Sequence, residues 1–215
     1  MSRKLVVLGG GGHARVCLDI LLADGGWEIV GCLAPTAPDP AASLAPYLGR
    51  DGALPQLQAG GVTHAFVAIG DNLTRGQKIT EVRAQGLQLA SAISRFSVIS
   101  PHARLGVGVA VMPGAVVNVG AVVADGVIIN TGAVVDHDCH LGAAAHIAPG
   151  VSLAGGVRIG EGAFMGVGSC AIPGVSVGEW AVVGAGAVVV HDVNPHSTVV
   201  GVPARPLGSA RRASA

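Results

Sequence analysis

Imidazole and carboxylate meet in one short stretch of this chain, Asp136-His137-Asp138-Cys139-His140, and another imidazole follows at His146. A neutral histidine is the side chain suited to accept a proton near pH 7. An adjacent aspartate can orient the ring and raise its basicity, as the acid of a triad does. Plainer readings compete: His137 as a solvated surface imidazole, and Asp138 as a turn residue bonded to nearby backbone. Position decides between them, and position is set by the pattern in which these residues sit.

That pattern has a period of six. From Ile99 through Val111, Val123, Val135 and Ile147 to Val189, an aliphatic or small apolar residue stands at every sixth position. Three residues after these, glycine recurs from Gly108 to Gly186, and Asp138 takes one of the glycine slots. A six-residue repeat with a turn residue in each unit is the signature of a parallel β-helix. Three hexads make one triangular coil, so residues 18 apart stack, about 4.8 Å from coil to coil. The span 99–189 is then about five coils. His137 falls at a corner, and the residue stacked on it is Gly155. A glycine beside a corner imidazole leaves an open slot and an approachable N–H, a pairing that suits a general base next to an oxyanion donor. His140 and His146 lie on successive faces, roughly 120° apart in a three-sided coil, and cannot converge on a metal within one chain. No metal is expected.

Outward positions form columns of their own. One reads Val116, Val134, Ser152, Cys170, Val188; another reads Ile128, His146, Phe164, Val182. Two such apolar faces predict burial between copies of the chain, in a cyclic homotrimer. His146 would then face a neighbour's site or serve as a hydrogen-bond donor in the interface.

The N-terminal part alternates strand and helix. Lys4–Leu8 reads as a strand, Arg15–Ala23 as a helix, and Glu28–Leu33 as a second strand. His64–Ile69 reads as a third strand, with a helix to about Gln85, and Leu87–Ile93 as a fourth strand. This predicts a small Rossmann-like parallel sheet. Gly9-x-Gly11-x-x-Ala14 fits the glycine turn whose backbone N–H groups hold phosphate at a helix N-terminus; a tight turn with no ligand is the competing reading. The acidic residue that dinucleotide sites place after the second strand is absent, Ala34-Pro35 standing there. One nucleotide diphosphate, such as a nucleotide sugar, is therefore expected rather than NAD. The expected domains are 1–96, nucleotide-sugar binding, and 97–208, the β-helix, with 209–215 a disordered tail carrying Arg211 and Arg212.

Composition narrows the class further. The 215 residues carry 13 basic and 13 acidic side chains, so there is no basic footprint for nucleic acid. Aromatics are scarce, which argues against base stacking. Mean hydropathy is +0.60, yet no apolar run reads as a membrane span, and the N-terminus does not read as a signal peptide. Cys17, Cys32, Cys139 and Cys170 show no CxxC spacing and read as free thiols. A cytoplasmic protein is expected.

Several segments together resemble a known family: Gly-Gly-Gly-Gly-His-Ala at 9–14, Ala68-Ile69-Gly70-Asp71-Asn72 with Arg75, Val135–Cys139, His146, Ala154-Gly155-Gly156 and Val200–Arg205. They are similar to the hexapeptide-repeat sugar acetyltransferases of bacterial surface-polysaccharide and glycan pathways. These include N-acetyltransferases of nucleotide-linked 4-amino-4,6-dideoxy sugars and sialic acid O-acetyltransferases. The resemblance implies a left-handed β-helix, an acetyl-CoA cosubstrate between subunits, and transfer to the C4 amine, with GDP-perosamine the favoured acceptor. A UDP-linked amino sugar and O-acetylation are the alternatives. It implies His137 as base, Asp138 as its support and the Gly155 amide as oxyanion donor. Gly11, Gly12, His13, Asp71, Asn72 and Arg75 would contact the nucleotide sugar, and His146, Gly155, Gly156 and Arg205 the CoA. UDP-sugar relatives often carry an acidic residue where this chain has Ala34-Pro35, which favours GDP.

Overall fold

The structure, a computed structural model, describes residues 3–207; the expected tail at 209–215 lies outside the described residues. Four strands open the chain's architecture: β1 (Arg3–Leu8), β2 (Trp27–Leu33), β3 (His64–Val67) and β4 (Gln88–Leu89). They form a parallel sheet in the order β2-β1-β3-β4. The two-residue period of β1 sorts its side chains. Leu5 and Val7 pack with helix α1 (Gly12–Asp24), while Val6 and Leu8 pack with α2 (Leu54–Ala59) and α3 (Asn72–Ala84).

Helix α1 forms because Ala14, Cys17, Leu18 and Leu21 make one apolar stripe; it stops at Gly25, whose φ of 69° is left-handed. It begins at Gly12, three residues before the expected Arg15, with extended Gly11 as its cap and no side chain bonded to its first turn. Gly9 ends β1 with φ 134°, and a Cβ there would overlap Ala68 O, so only glycine lets the chain leave the sheet here.

The expected strand Leu87–Ile93 is two strands. Gln88–Leu89 pairs with β3, whereas Ala92–Ile93 pairs with Ala110–Val111 of the second unit. A continuous apolar run conceals that change of partner.

Residues from Ala92 onward wind into a three-sided parallel solenoid of about six turns. Its first sheet stacks the strands from Arg104–Leu105 to Ser176–Val177, and its second those from Val98–Ile99 to Val188–Val189. The third runs from Ala92–Ile93 to Thr198–Val200 and ends on an antiparallel strand, Arg205–Pro206. Val122 pairs with His140 and Val134 with Ser152, the 18-residue register expected. The sixth-position column is fully buried from Val111 to Val189. The last coil is shorter, since Val183 pairs with Val199.

At the corners glycine adopts left-handed backbone, and where the repeat lacks glycine the conformation persists in Asp138 (φ 58°), Ala144 (φ 52°) and Trp180 (φ 55°). The stack of coils therefore imposes the turn, and a side chain there carries strain of about 1 kcal/mol.

One of the two outward faces is not a free surface. Ala110, Met112 and Ile128 of the third sheet are buried in one cluster with α1 and β1. The N-terminal unit thus covers part of the face expected to contact another subunit, because its α1 side has an apolar stripe left over to bury. The column Val116, Val134, Cys170, Val188 stays partly exposed, with Ser152 open to solvent.

Candidate active site

The corner between the second and first sheets carries His137 and Asp138. Asp138 Oδ2 lies 2.9 Å from His137 Nδ1, so Nδ1 donates and Nε2 is left as the proton-accepting nitrogen. Asp136 sets the other side of the ring's backbone: its Oδ1 accepts from the His137 N–H at 2.7 Å and from Asn118 Nδ2 at 2.8 Å. The Asp138 hydrogen bond, helped by the charges of Asp136 and Asp138, raises the His137 pKa above the usual histidine value. Behind the corner Cys139 is buried, its thiol donating to Ala154 O at 3.2 Å and its pKa pushed up by burial.

Gly155 stacks on this ring. A Cβ at 155 would overlap His137 Nε2 and lie 2.5 Å from Cε1, so the imidazole occupies the space a side chain would need. Among the described residues no main-chain acceptor takes the Gly155 N–H. The Gly156 N–H, by contrast, donates to His137 O at 2.9 Å. The expected role of Gly156 in holding CoA does not fall to its amide, which is already bonded; Gly156 supplies the turn.

Asp138 sits where the repeat uses glycine, and its strained backbone places its carboxylate beside His137. Asp138→Gly is expected to raise the melting temperature, by relieving about 1 kcal/mol of strain. The same change is expected to lower kcat, by less than the ~10⁴-fold of a buried triad carboxylate because Asp138 is exposed. Thermal melts and steady-state kinetics on one preparation check both.

A second group gathers where the N-terminal unit meets the third sheet. His146 projects from that sheet, with Asn130 Nδ2 3.2 Å from its Nε2, the Phe164 ring edge-on at 5.2 Å, and a main-chain bond to Gly70. His13, in the first turn of α1, has Cys17 Sγ 3.5 Å from its Nε2. Burial, reinforced by the charge of Arg75, lowers both imidazoles to a pKa of about 4, so both are neutral at physiological pH. Beside them Gly11 and Gly12 stand open: a Cβ at either position would have nothing within 4 Å. Of the residues that hold the two groups in place, Asp136 lies in the His137 motif and Phe164 in the outward column of His146, whereas Asn118 and Asn130 carry no motif that marks them in the sequence. The Asn118–Asp136 pair, one coil apart, is open to detection through the stacking register.

Two residues expected to touch substrate spend their donors on the joint between the two units. Arg75 is 1 % exposed, and its Nε donates to Gly126 O at 2.8 Å. Its Nη1 donates to Ile69 O and Gly70 O, and its Nη2 to Asn72 Oδ1 and Ala144 O. Asn72 Nδ2 in turn donates to Gly162 O at 3.0 Å. Both join the two units because their donors match main-chain carbonyls presented by the α3 loop and the solenoid corners. Asp71 caps α3, accepting from Thr74 N at 2.9 Å and Thr74 Oγ1 at 2.6 Å. Arg205 is exposed on the closing antiparallel strand. No group of three or more His, Cys, Asp or Glu side chains is placed to hold a metal ion among the described residues, and His140 and His146 stand on different sheets. No described helix is long and apolar enough to cross a membrane.

An Asp-backed imidazole packed on a glycine whose N–H has no main-chain acceptor among the described residues, on a β-helix corner, is equipment suited to an acyltransferase. Comparison with known proteins gives the class a family. Residues 4–82 match the PglD N-terminal domain. PerB from Caulobacter crescentus, solved with CoA and GDP-perosamine, is 47% identical over 95% of this chain and 97% of its own, with a TM-score of 0.91. The acetyltransferase domain of PglB from Neisseria gonorrhoeae FA1090, solved with acetyl coenzyme A, is 39% identical over 96% of this chain and 100% of its own, also at 0.91. WeeI from Acinetobacter baumannii AYE, 22% identical, shares the fold: it covers 96% of this chain and 100% of its own at a TM-score of 0.81. No match is found among curated protein sequences. The chain belongs to the left-handed β-helix family of acetyl-CoA-dependent nucleotide-sugar N-acetyltransferases.

Proposed function

We propose that this enzyme transfers acetyl from acetyl-CoA to the C4 amine of a nucleotide-linked 4-amino-4,6-dideoxy sugar, GDP-perosamine being the favoured acceptor, in surface-polysaccharide synthesis in the cytoplasm. The observation that carries the reading is His137 Nε2 set against Gly155 with Nδ1 held by Asp138. The likeness to a relative bound to CoA and GDP-perosamine supports the acceptor.

The amine lone pair attacks the thioester carbonyl, and the C–N bond forms as Nε2 of His137 takes the amine proton. The oxyanion is stabilised by the Gly155 N–H. When the intermediate collapses, the C–S bond breaks and the imidazolium returns its proton to the departing CoA sulfur. General-base help of this kind supplies about 10²–10⁴-fold, and one oxyanion donor about 10²–10³-fold.

The N-terminal unit, read as a Rossmann-like domain over residues 1–96, holds the nucleotide sugar. The uncapped start of α1 at Gly11, Gly12 and His13 offers N–H groups and positive dipole to the diphosphate, with Asp71 at the neighbouring loop. The unit 97–208 holds acetyl-CoA, with His146 on the groove wall and Arg205 towards the CoA tail. The first solenoid strand, Ala92–Ile93, lies just before that boundary.

The assembly is a trimer by the same proposal. His137 stands on the corner between two sheets; His146 stands on the third sheet, across the coil from it, with His13 beside it in the first turn of α1. Only a second copy brings His137 of one chain to His13 and His146 of another. The partly exposed column Val116, Val134, Cys170, Val188 is the surface for that contact.

Since His137 must be neutral to act, kcat/KM is expected to rise with pH through a midpoint above the ordinary histidine value. Asp138→Asn removes the carboxylate charge that favours the imidazolium, so its midpoint moves to lower pH. The sugar ammonium titrates alike in both proteins, and the difference between the two profiles reports His137.

The deciding experiment is CoA thiol release with GDP-perosamine and a UDP-linked 4-amino-4,6-dideoxy sugar in parallel. Turnover with the GDP sugar supports the proposal. Preference for the UDP sugar overturns the acceptor and keeps the chemistry, and turnover with neither overturns N-acetylation of these sugars.

A further inference from the structure

The acyl-transfer scheme leaves one costly feature unused: the cation of Arg75, sealed inside the molecule. Arg75 has no carboxylate within ion-pair distance among the described residues, and the Asp71 carboxylate is turned to Thr74. Burial lowers its pKa to about 10, so the guanidinium remains charged at neutral pH. An apolar residue of similar size would fill the same space without desolvating a charge, so packing alone does not account for it.

Its hydrogen bonds run to two separate bodies. Ile69 and Gly70 belong to the loop that leads into α3; Gly126, Ala144 and Ala145 belong to two successive coils of the β-helix. Asn72 extends the reach to Gly162 and Ala163, one coil further. The planar fork of a guanidinium can span these directions at once, which an ammonium cannot. Both ends of the span adjoin the second histidine group, for His146 follows Ala145 directly and also bonds the main chain of Gly70.

We propose that Arg75 is a positioning residue for acyl transfer: it locks the Gly70–Asn72 loop to the coil that carries His146, so that His13 and His146 stand on one rigid surface across which acceptor and thioester are aligned. The inference rests on the function proposed above. Its charge has a second effect through the same geometry. The groups facing His146 are Asn130, Phe164, the Gly70 main chain, Arg75 and His13; those facing His13 are Cys17, Arg75 and His146. Arg75 is the fixed charge among them, and it opposes protonation of both rings.

Arg75→Met and Arg75→Lys test this, assayed well below their melting temperatures. Misalignment by about an ångström costs about 10²-fold in rate. Arg75→Met is therefore expected to lose about that factor in kcat while KM for each substrate changes little, and the NMR titration midpoints of His13 and His146 are expected to move to higher pH. Arg75→Lys is expected to lose kcat with those midpoints in place, because the charge stays and the fork is gone. A folded Arg75→Met with wild-type kcat overturns the inference. Should Arg75→Met fail to fold, Asn72→Ser decides: reduced kcat with unmoved His13 and His146 midpoints supports the lock, and wild-type kcat overturns it. A wild type inactive on every nucleotide-linked amino sugar defeats the underlying function instead, which the parallel wild-type assay distinguishes.

Discussion

His137→Asn lowers kcat by at least about 10²-fold, the smallest contribution expected of a positioned general base. Asparagine can still accept the Gly156 N–H through its main chain, because that bond uses His137 O rather than the ring. The Asp136 carboxylate likewise bonds the residue's backbone N–H, so the corner keeps its shape. The ring is exposed, and its loss removes no packing from the core. Activity should fall without a matching fall in melting temperature, and substrate KM values should move little because the lost interaction belongs to the transition state. Steady-state kinetics beside a thermal melt makes the comparison. A variant with near wild-type kcat removes His137 from the role of base.

The second large effect is expected at a residue with no side chain. Gly155→Ala places a methyl where His137 Nε2 now stands. Main chain cannot yield here, since Gly155 O accepts from Gly174 N at 3.0 Å and the next residue's N–H is bonded to His137 O. The imidazole must therefore swing away. Base and oxyanion donor are disturbed together, and kcat is expected to fall by about 10²–10³-fold, comparable with losing an oxyanion contact outright. Stability should change little, because the exposed ring has solvent to move into. Kinetics on Gly155→Ala decides the matter, and unaltered kcat would show that the ring and this corner act independently.

The solenoid is legible because its repeat is rigid: a core residue every sixth position and a left-handed corner three residues later leave one register, and that register alone pairs His137 with Gly155. Legibility ends where the repeat does. The strand change between Leu89 and Ala92 leaves no mark in an apolar run. The short final coil shifts the pairing of Val183 and Val199 without altering the residue types. Arg75 and Asn72 read as substrate contacts through the family resemblance, which says nothing of the depth at which each side chain lies. Their burial depends on how two units meet, which local pattern does not encode. The same docking hides Ile128, whose outward position in the repeat reads as a surface between subunits.

The placement of His137 on the corner opposite the sheet of His146 has a consequence at the level of genes. Under the proposed trimer no chain owns a complete site. A cell carrying two differently damaged alleles, one lacking His137 and one lacking His146, would assemble some mixed sites in which each chain donates what the other lacks. A single damaged allele beside an intact one would also spoil sites shared with healthy chains. Defects in this protein would thus complement one another and poison the wild type, behaviours that a self-sufficient monomer never shows.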